Sequence, residues 1–488
     1  MVNANGAGDY VTSDSKPFRA GAKTAGAKTA ARPTTRQGFQ PAEVAREAEA
    51  MKVPGLPARL AAAHVISDVI SGGHRLDECF SPLAVPNRLG GLDARDVALV
   101  RSIATVTLRR LGVIRRTLAL LLEKGLPRQA SRLEWLLIVA AAQILFLDSA
   151  DHAAVDLAVR AVRLEPKNAG FAGLVNGVLR NMARRRDEFL ALAESGEFDA
   201  APWLAQRWRK AYGEAAAKEI VAMQMLEPPL DLTTKSDPAG WAERLGGVVL
   251  PTGSVRLLAR TPIPDLEGYA DGEWWVQDAG AALPARMLEA RPDERVLDMC
   301  AAPGGKTAQI ALTGARVTAV DRSAERLKLL AANLGRLRLH ADIAVADAAN
   351  YSAPEFDAVL LDAPCTATGT IRRHPDVAWT KKPGDIESLA AFQTKMLDRA
   401  AALTRPGGRI VYCVCSLEPE EGEAQIAAFL RRNPDFKRDA CDFAALGAPK
   451  EFVNGNGDLR TTPQMLPNAD PRLSGVDGFF AARVSRRA

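Results

Sequence analysis

The sequence predicts an α/β protein whose C-terminal part is a doubly wound parallel sheet and whose front part is all-helical. Three observations predict it. Beyond residue 281, five short apolar runs alternate with helical segments, as in a parallel sheet with crossover helices. Between residues 46 and 190, apolar residues recur at three- and four-residue steps with no strand-like alternation. At 488 residues the chain exceeds what one hydrophobic core supports, so more than one domain is expected.

With 47% hydrophobic and 25% charged residues, the chain has the balance of a soluble globular protein. No apolar run approaches the roughly 20 residues of a membrane-spanning helix, which sets a membrane role aside. A net charge of +5 leaves room for local basic patches, the electrostatic footprint of a nucleic-acid binder. The six cysteines, Cys79, Cys300, Cys365, Cys413, Cys415 and Cys441, lack both the repeated close pairs of a zinc site and the density of a disulfide scaffold. Reduced thiols in a cytoplasmic, metal-free protein are expected. The first residues lack the apolar core of a secretory signal, and Asp9 and Asp14 weigh against a transit peptide.

Taken in order, residues 1–45 are rich in Gly, Ala and Thr with spaced Lys16, Arg19, Lys23, Lys28, Arg32 and Arg36. They offer too little apolar surface to offset the entropy of ordering and predict a disordered basic tail, either a weak phosphate tether or a solubilising extension. Residues 46–190 predict an all-helical domain, carried by stretches such as 59–66 and 133–140. Its last helix leads into Arg184-Arg185-Arg186, a run that is either a solvated face or a contact to RNA phosphates. Residues 191–280 predict a mixed linker subdomain, in which Trp203 and Trp208 are expected in the core rather than stacked on RNA.

Residues 281–488 form the α/β domain, with buried strands expected at 295–298, 316–321, 343–347, 356–362 and 409–415. Right-handed crossovers place the C-terminal ends of these strands along one edge, where such sheets bind ligands. Four of the runs end in Asp298, Asp321, Asp347 and Asp362, and the fifth ends in Cys415. Charged or reactive residues at one topological position, strand after strand, mark that edge as the site.

After the first strand, Asp298-Met299-Cys300-Ala301-Ala302-Pro303-Gly304-Gly305-Lys306-Thr307 opens a helix. Gly304 and Gly305 allow a tight turn and close backbone approach, and a helix N-terminus offers N–H groups to an anion. The leading glycine of a P-loop is missing, and the dinucleotide fingerprint is absent. Asp321, about 20 residues on, suits both hydroxyls of a ribose, the plain alternative being a helix cap before Ser323 and Glu325. Asp347 is placed to meet the adenine end of a nucleoside. An anion loop, an acid for a ribose and a polar group for a base fit S-adenosylmethionine, and equally another adenosine cofactor.

The fourth strand delivers Asp362-Ala363-Pro364-Cys365-Thr366, continuing to Arg372-Arg373-His374-Pro375-Asp376, and the fifth delivers Cys413-Val414-Cys415-Ser416-Leu417-Glu418-Pro419-Glu420-Glu421. Together with residues 298–307 and the closing Asp477-Gly478-Phe479-Phe480-Ala481, this region resembles the RNA cytosine-C5 methyltransferases. Within them it resembles the Sun/Fmu branch, which methylates small-subunit ribosomal RNA. The front domain resembles the NusB-like RNA-binding module through residues 92–96 and Val175-Asn176-Gly177-Val178-Leu179-Arg180. Thr366 stands where the branch commonly has Ser, and Ala378 where it commonly has Lys.

The resemblance implies a Rossmann-like class I methyltransferase domain behind a NusB-like domain, acting on ribosomal RNA with S-adenosyl-L-methionine, and a monomer is expected. It implies that Cys415 is the nucleophile, that Cys365 assists removal of the carbon 5 proton or release of the enzyme, and that Asp362 hydrogen-bonds the cytosine edge. Cys300, Ala301, Ala302, Pro303, Gly304, Gly305, Lys306, Asp321, Arg326, Asp347 and Asp362 would line the cofactor, and Arg372, Arg373 and His374 the RNA. The chemistry asks for the same residue types. Carbon 5 of cytosine takes a methyl group only after a nucleophile adds at carbon 6, and a thiolate suits that task in an electropositive setting, which Arg372, Arg373 and a bound sulfonium are expected to supply. DNA cytosine methyltransferases use the cysteine after proline, here Cys365, and Cys413 shares a strand face with Cys415; the order of candidates is Cys415, Cys365, Cys413. Cys79, Cys300 and Cys441 are expected as inert packing. Two rivals stand beside this reading: a non-catalytic RNA-binding assembly factor, and a methyltransferase for a protein or small molecule.

Overall fold

A computed structural model of the chain describes residues 49–81, 84, 86–126, 132–147, 149–194, 196, 200–258 and 261–488. The expected basic tail, residues 1–45, lies outside them. Contacts divide the chain into two units, one of residues 49–66, 88–107 and 114–190, the other of residues 67–87, 108–113 and 191–488.

The front region is helical: α1 (Leu56–Gly72), α2 (Ala94–Arg109), α3 (Leu111–Leu121), α4 (Leu133–Phe146), α5 (Asp151–Leu164), α6 (Ala172–Arg184) and α7 (Arg186–Glu194). In the first unit α4 is apolar on every side and buried from Trp135 to Leu145, as a helix at the centre of a bundle must be. Helices α5 and α6 pack on it and on each other. Their buried residues, Ala154, Leu157, Ala158 and Ala161 on α5 and Val175, Val178, Leu179 and Met182 on α6, recur at three and four, one stripe per helix. The opposite faces leave a groove lined by Asp151, Val155, Arg163, Asn176, Arg180 and Arg184.

The second unit opens with α8 (Pro202–Tyr212) and α9 (Glu214–Gln224), where Trp208 is wholly buried and donates from Nε1 to Glu418 Oε1 at 3.2 Å. A small antiparallel sheet follows: β1 (Leu230–Thr234), β2 (Val248–Val249), β3 (Val255–Leu257) and β4 (Trp274–Val276), ordered β2-β3-β1-β4, with α10 (Pro238–Leu245) between β1 and β2. Leu232, Trp241, Val255, Leu257 and Trp274 form its core.

The main sheet comprises β5 (Arg295–Met299), β6 (Arg316–Asp321), β7 (Asp342–Val345), β8 (Phe356–Asp362), β9 (Thr404–Val414), β10 (Phe436–Arg438), β11 (Leu459–Arg460) and β12 (Phe480–Arg486). The order is β10-β12-β9-β8-β5-β6-β7, with β11 beside β12. Strands β5 to β9 are parallel, whereas β12 runs antiparallel between β9 and β10. The sheet is therefore mixed, and the closing Phe479-Phe480-Ala481 run is a strand that the five parallel runs do not announce.

Alternate strand residues sort into two cores. Val296, Val317, Ala319, Leu360 and Val411 face Leu283 and Met287 of α11 (Ala279–Met287), Ile310 of α12 (Gly305–Leu312) and Leu330 of α13 (Ala324–Arg336). Leu297, Val320, Val359, Leu361 and Tyr412 face Met396 and Leu397 of α14 (Pro383–Leu403) and Ile426 and Phe429 of α15 (Glu423–Arg432). Chain order reverses between β5 and β8, so the crevice for a ligand opens at their C-terminal ends.

Three expected strand ends move: β9 stops at Val414, leaving Cys415 just past it. β5 continues to Met299, which leaves Asp298 inside the strand and wholly buried. β7 stops at Val345, and Asp347 lies in the turn beyond, where its carboxylate accepts from Ala349 N at 3.0 Å and Asn350 Nδ2 at 2.8 Å.

Candidate active site

Cys365 follows β8 and Cys415 follows β9, and their Sγ atoms lie 3.5 Å apart, both half-buried. Adjacent parallel strands place them there: Asp362 pairs with Cys413 in register, Ala363 N donates to Cys413 O at 2.9 Å, and Gly369 N donates to Cys415 O at 3.1 Å. The β8 loop must approach the closing motif closely. A Cβ on Gly369 would fall 1.9 Å from Gly478 O, and Gly478 N donates to Gly369 O at 2.8 Å. Cys413 is buried within β9 and donates from Sγ to Asp362 Oδ1 at 3.4 Å.

Lys306, in the first turn of α12, is largely buried. Its Nζ donates to Asp362 Oδ2 at 2.8 Å, with 11% of its side chain exposed, and lies 5.2 Å from the centre of the Phe479 ring. Burial opposes its charge, but Asp362 and then Cys413 and Cys415 outweigh that and hold the ammonium above its ordinary range. Lys306 is thus a cation whose field reaches the thiols. The Cys365 thiol is pushed well above its ordinary range, first by its hydrogen bond with Cys415 and then by burial, and burial does the same to Cys413.

The glycine loop after β5 has the predicted form. Gly304 adopts φ +103° and caps α12, and a Cβ there would meet Leu330 Cγ at 2.9 Å. Cys300 takes φ +64°, and burial raises its thiol, as suits a packing residue whose backbone shapes the loop. Asp298 Oδ2 accepts from Thr307 Oγ1 at 2.6 Å, while its buried Oδ1 has no partner. Asp321, nearly buried at the end of β6, accepts from Ser323 N at 2.9 Å and Ala302 N at 3.3 Å. Arg326 lies over it, with Nη1 3.3 Å from Oδ2, and also bonds Ala302 O. The capping role weighed for Asp321 falls to Ser323, whose hydroxyl accepts from Arg326 N.

Of the two arginines expected at the RNA, Arg372 is buried and Arg373 is partly so, its side chain 21% exposed. Arg372 is 1% exposed, donates from Nη1 to Ser474 O at 3.1 Å and has Nε 3.6 Å from Asp477 Oδ1. Arg373 donates to Asp477 Oδ2 at 2.9 Å, to Asp278 Oδ2 at 2.8 Å and to Pro229 O at 3.1 Å. Beside it, Arg256 and Asp231 form a two-pronged pair, each contact 2.7 Å, with no side-chain exposure. This buried charge cluster locks the loop after Cys365 to the small sheet and the C-terminal motif. Arg372 and Arg373 are paired with buried carboxylates, and the cation that interacts with Cys413 and Cys415 is Lys306. His374 remains partly exposed, with Nδ1 3.3 Å from Asp77 Oδ2. In the first unit, Arg185 pairs with Glu188 at 2.6 Å and Arg186 lies 4.0 Å from Asp151, while Arg184 lines the α5–α6 groove.

Glu421 and Asp477 lie in motifs that the sequence marks without giving these residues a role, and Asp278 lies outside any motif. Each is a carboxylate no more than 7% exposed that ties distant stretches of chain together, Glu421 through Thr366 and Asp278 and Asp477 through Arg373. Among the described residues no group of three or more His, Cys, Asp or Glu is arranged to hold a metal, and no helix is long and apolar enough to cross a membrane.

A doubly wound sheet with a glycine-rich loop after β5 and an acid at the end of β6 is the architecture of the class I methyltransferases, and here it also carries two thiols in contact. The chain belongs to the 16S rRNA methyltransferase RsmB/F family, which residues 285–485 match, and residues 56–184 match the NusB family. Ribosomal RNA small subunit methyltransferase B of Serratia proteamaculans (strain 568) is 36% identical over 445 residues, covering 87% of this chain and 98% of that protein. The protein of that name from Xanthomonas campestris pv. campestris is 36% identical over 447 residues, covering 88% and 97%. The crystal structure of PH0851 covers 89% of this chain and 99% of its own at a TM-score of 0.65 and 21% identity, which bears on the fold alone.

Proposed function

We propose that this enzyme methylates carbon 5 of a cytosine in small-subunit ribosomal RNA, with S-adenosyl-L-methionine as donor and a covalent Cys415–cytosine adduct as intermediate. The observation that carries the reading is the pair of thiols 3.5 Å apart at the switch point, beside the Lys306–Asp362 pair. A single general acid or base would not call for two thiols in contact.

The residues at the edge fit the donor. Gly304, with its positive φ, turns the loop into the N-terminus of α12, Asp321 presents a buried carboxylate where a ribose would lie, and Asp298 Oδ1 is a buried acceptor without a partner. Cys300 to Lys306 would hold the amino-acid end, Asp321 the ribose and Asp347 the adenine. Arg326 would release Asp321 as the ribose arrives. When bound, the donor supplies a methyl group made electrophilic by its sulfonium.

The chain's own groups supply the rest. An RNA base must leave its stack to reach these thiols. Asp362, held by Lys306, would accept a hydrogen bond from the cytosine edge and orient the ring. Cys415 Sγ adds to carbon 6, and the displaced electron pair makes carbon 5 nucleophilic. Once carbon 5 carries the methyl group, its proton is lost to water, the carbon 5–carbon 6 double bond re-forms and the Cys415 sulfur departs. Cys365, kept as a thiol, does not compete for carbon 6 and is placed to give its proton to the departing Cys415 sulfur 3.5 Å away. His374 and the α5–α6 groove, with Arg163, Arg180 and Arg184, would contact the RNA backbone.

The test is to incubate the full chain with labelled S-adenosylmethionine and unmethylated small-subunit RNA, free and as a ribosomal particle, and to identify the labelled product. Label in 5-methylcytidine is expected. Label in another nucleoside, or on protein alone, would overturn the proposal.

A further inference from the structure

Glu421 binds both loops that carry the reaction centre's thiols through its own side chain. It lies six residues after Cys415, is not exposed to solvent and takes no part in the chemistry above. Its Oε2 accepts from Ser416 Oγ at 2.6 Å, and its Oε1 accepts from Thr366 N at 2.9 Å and from Gln393 Nε2 at 3.0 Å. Thr366 Oγ1 also bonds Oε2. Thr366 and Ser416 are the residues that directly follow Cys365 and Cys415, their hydroxyls lie 3.2 Å apart, and both are wholly buried. One carboxylate thus ties together the two loops that carry the two thiols, at the residue next to each. Gln393, from α14, holds the same carboxylate and also donates to Pro364 O at 2.9 Å, just before Cys365.

We propose that Glu421 is a positioning residue that sets the distance between the Cys365 and Cys415 thiols and so governs release of the methylated base. The reading rests on the thiol roles proposed above. A carboxylate suits the task because it only accepts hydrogen bonds, and every group facing it here donates. An amide in its place would turn an N–H towards donors. The charge has a second effect: after the contact with Cys415 and burial, the charges of Cys415 and Glu421 both help keep Cys365 a thiol. Glu421 thereby holds Cys365 in place and holds it out of competition for carbon 6.

The test uses the full chain with Glu421→Gln, and with Ser416→Ala as the milder variant should the first fail to fold. In RNA-free protein, diamide takes two electrons and two protons from neighbouring thiols and is reduced to the hydrazine, leaving a disulfide. The rate of Cys365–Cys415 disulfide formation therefore reads the thiol spacing without reference to catalysis. Wild type should form this bond readily and Glu421→Gln at least about tenfold more slowly; with RNA, the variant should show kcat reduced about tenfold or more, KM for RNA within about twofold, and an accumulating covalent adduct. Unchanged crosslinking, or kcat and KM falling together with the melting temperature and no adduct, would overturn the proposal. Because crosslinking is independent of turnover, a methylation-competent Cys415→Ala would sink the thiol roles while the crosslinking result still judges Glu421 as the spacer.

Discussion

Asp298 carries the sharpest expectation at the scale of one residue. Its carboxyl is wholly buried and pushed up to about 7, first by burial; the Thr307 hydrogen bond opposes the shift, and the charges of Asp362 and Asp321 add to it. A carboxyl raised in the folded state contributes stability that is complete below its unfolded value, about 3.9, and is lost as pH rises through its folded value. Asp298→Asn removes that titration. The melting temperature of the variant relative to wild type should therefore rise between about pH 4 and pH 7 and level off above, by thermal melts across that range. A gap that stays constant with pH would contradict the assignment. Residues at strand ends were legible at this scale because apolar runs point to them: Asp362, Cys365 and Cys415 stand where the runs stop. Arg372 and Arg373 were not, since a sequence displays a charge without its partners. Asp278 and Asp477, which bury Arg373, lie 95 and 104 residues away.

For elements, the loop from β5 into α12 is the informative case. Gly304 needs φ +103° and has no room for a Cβ, whereas a Cβ on Gly305 would rest at least 3.5 Å from its neighbours. Gly304→Ala should cost about 1–2 kcal/mol of stability from backbone conformation alone and weaken S-adenosylmethionine binding about tenfold or more. Gly305→Ala should melt like wild type. Calorimetry and titration with the donor compare the two, and equal stability of the variants would contradict the account. The paired glycines marked this loop in the sequence without saying which one carries the turn. The small sheet was not legible, because β2, β3 and β4 are two or three residues long, too short for alternation to register. β7 was overextended by two residues, since an edge strand with exposed Ile343 and Val345 lacks the burial that defines its end. β12 was read as a motif and is an antiparallel partner of β9.

For the whole molecule, alternating apolar runs and helices were enough to give a doubly wound sheet, because buried parallel strands read as continuous apolar stretches and their crossovers have one hand. That topology, and not any local signal, brings together two thiols 50 residues apart in sequence. Their division of labour is the claim on which the account stands. The direct measurement is to incubate wild type, Cys415→Ala and Cys365→Ala with S-adenosylmethionine and RNA containing 5-fluorocytosine, which blocks the last proton loss, and to locate the adduct by peptide mass spectrometry. The account predicts a bond to Cys415 in wild type and in Cys365→Ala, and none in Cys415→Ala. An adduct on Cys365 or Cys413, or one that survives in Cys415→Ala, would contradict it.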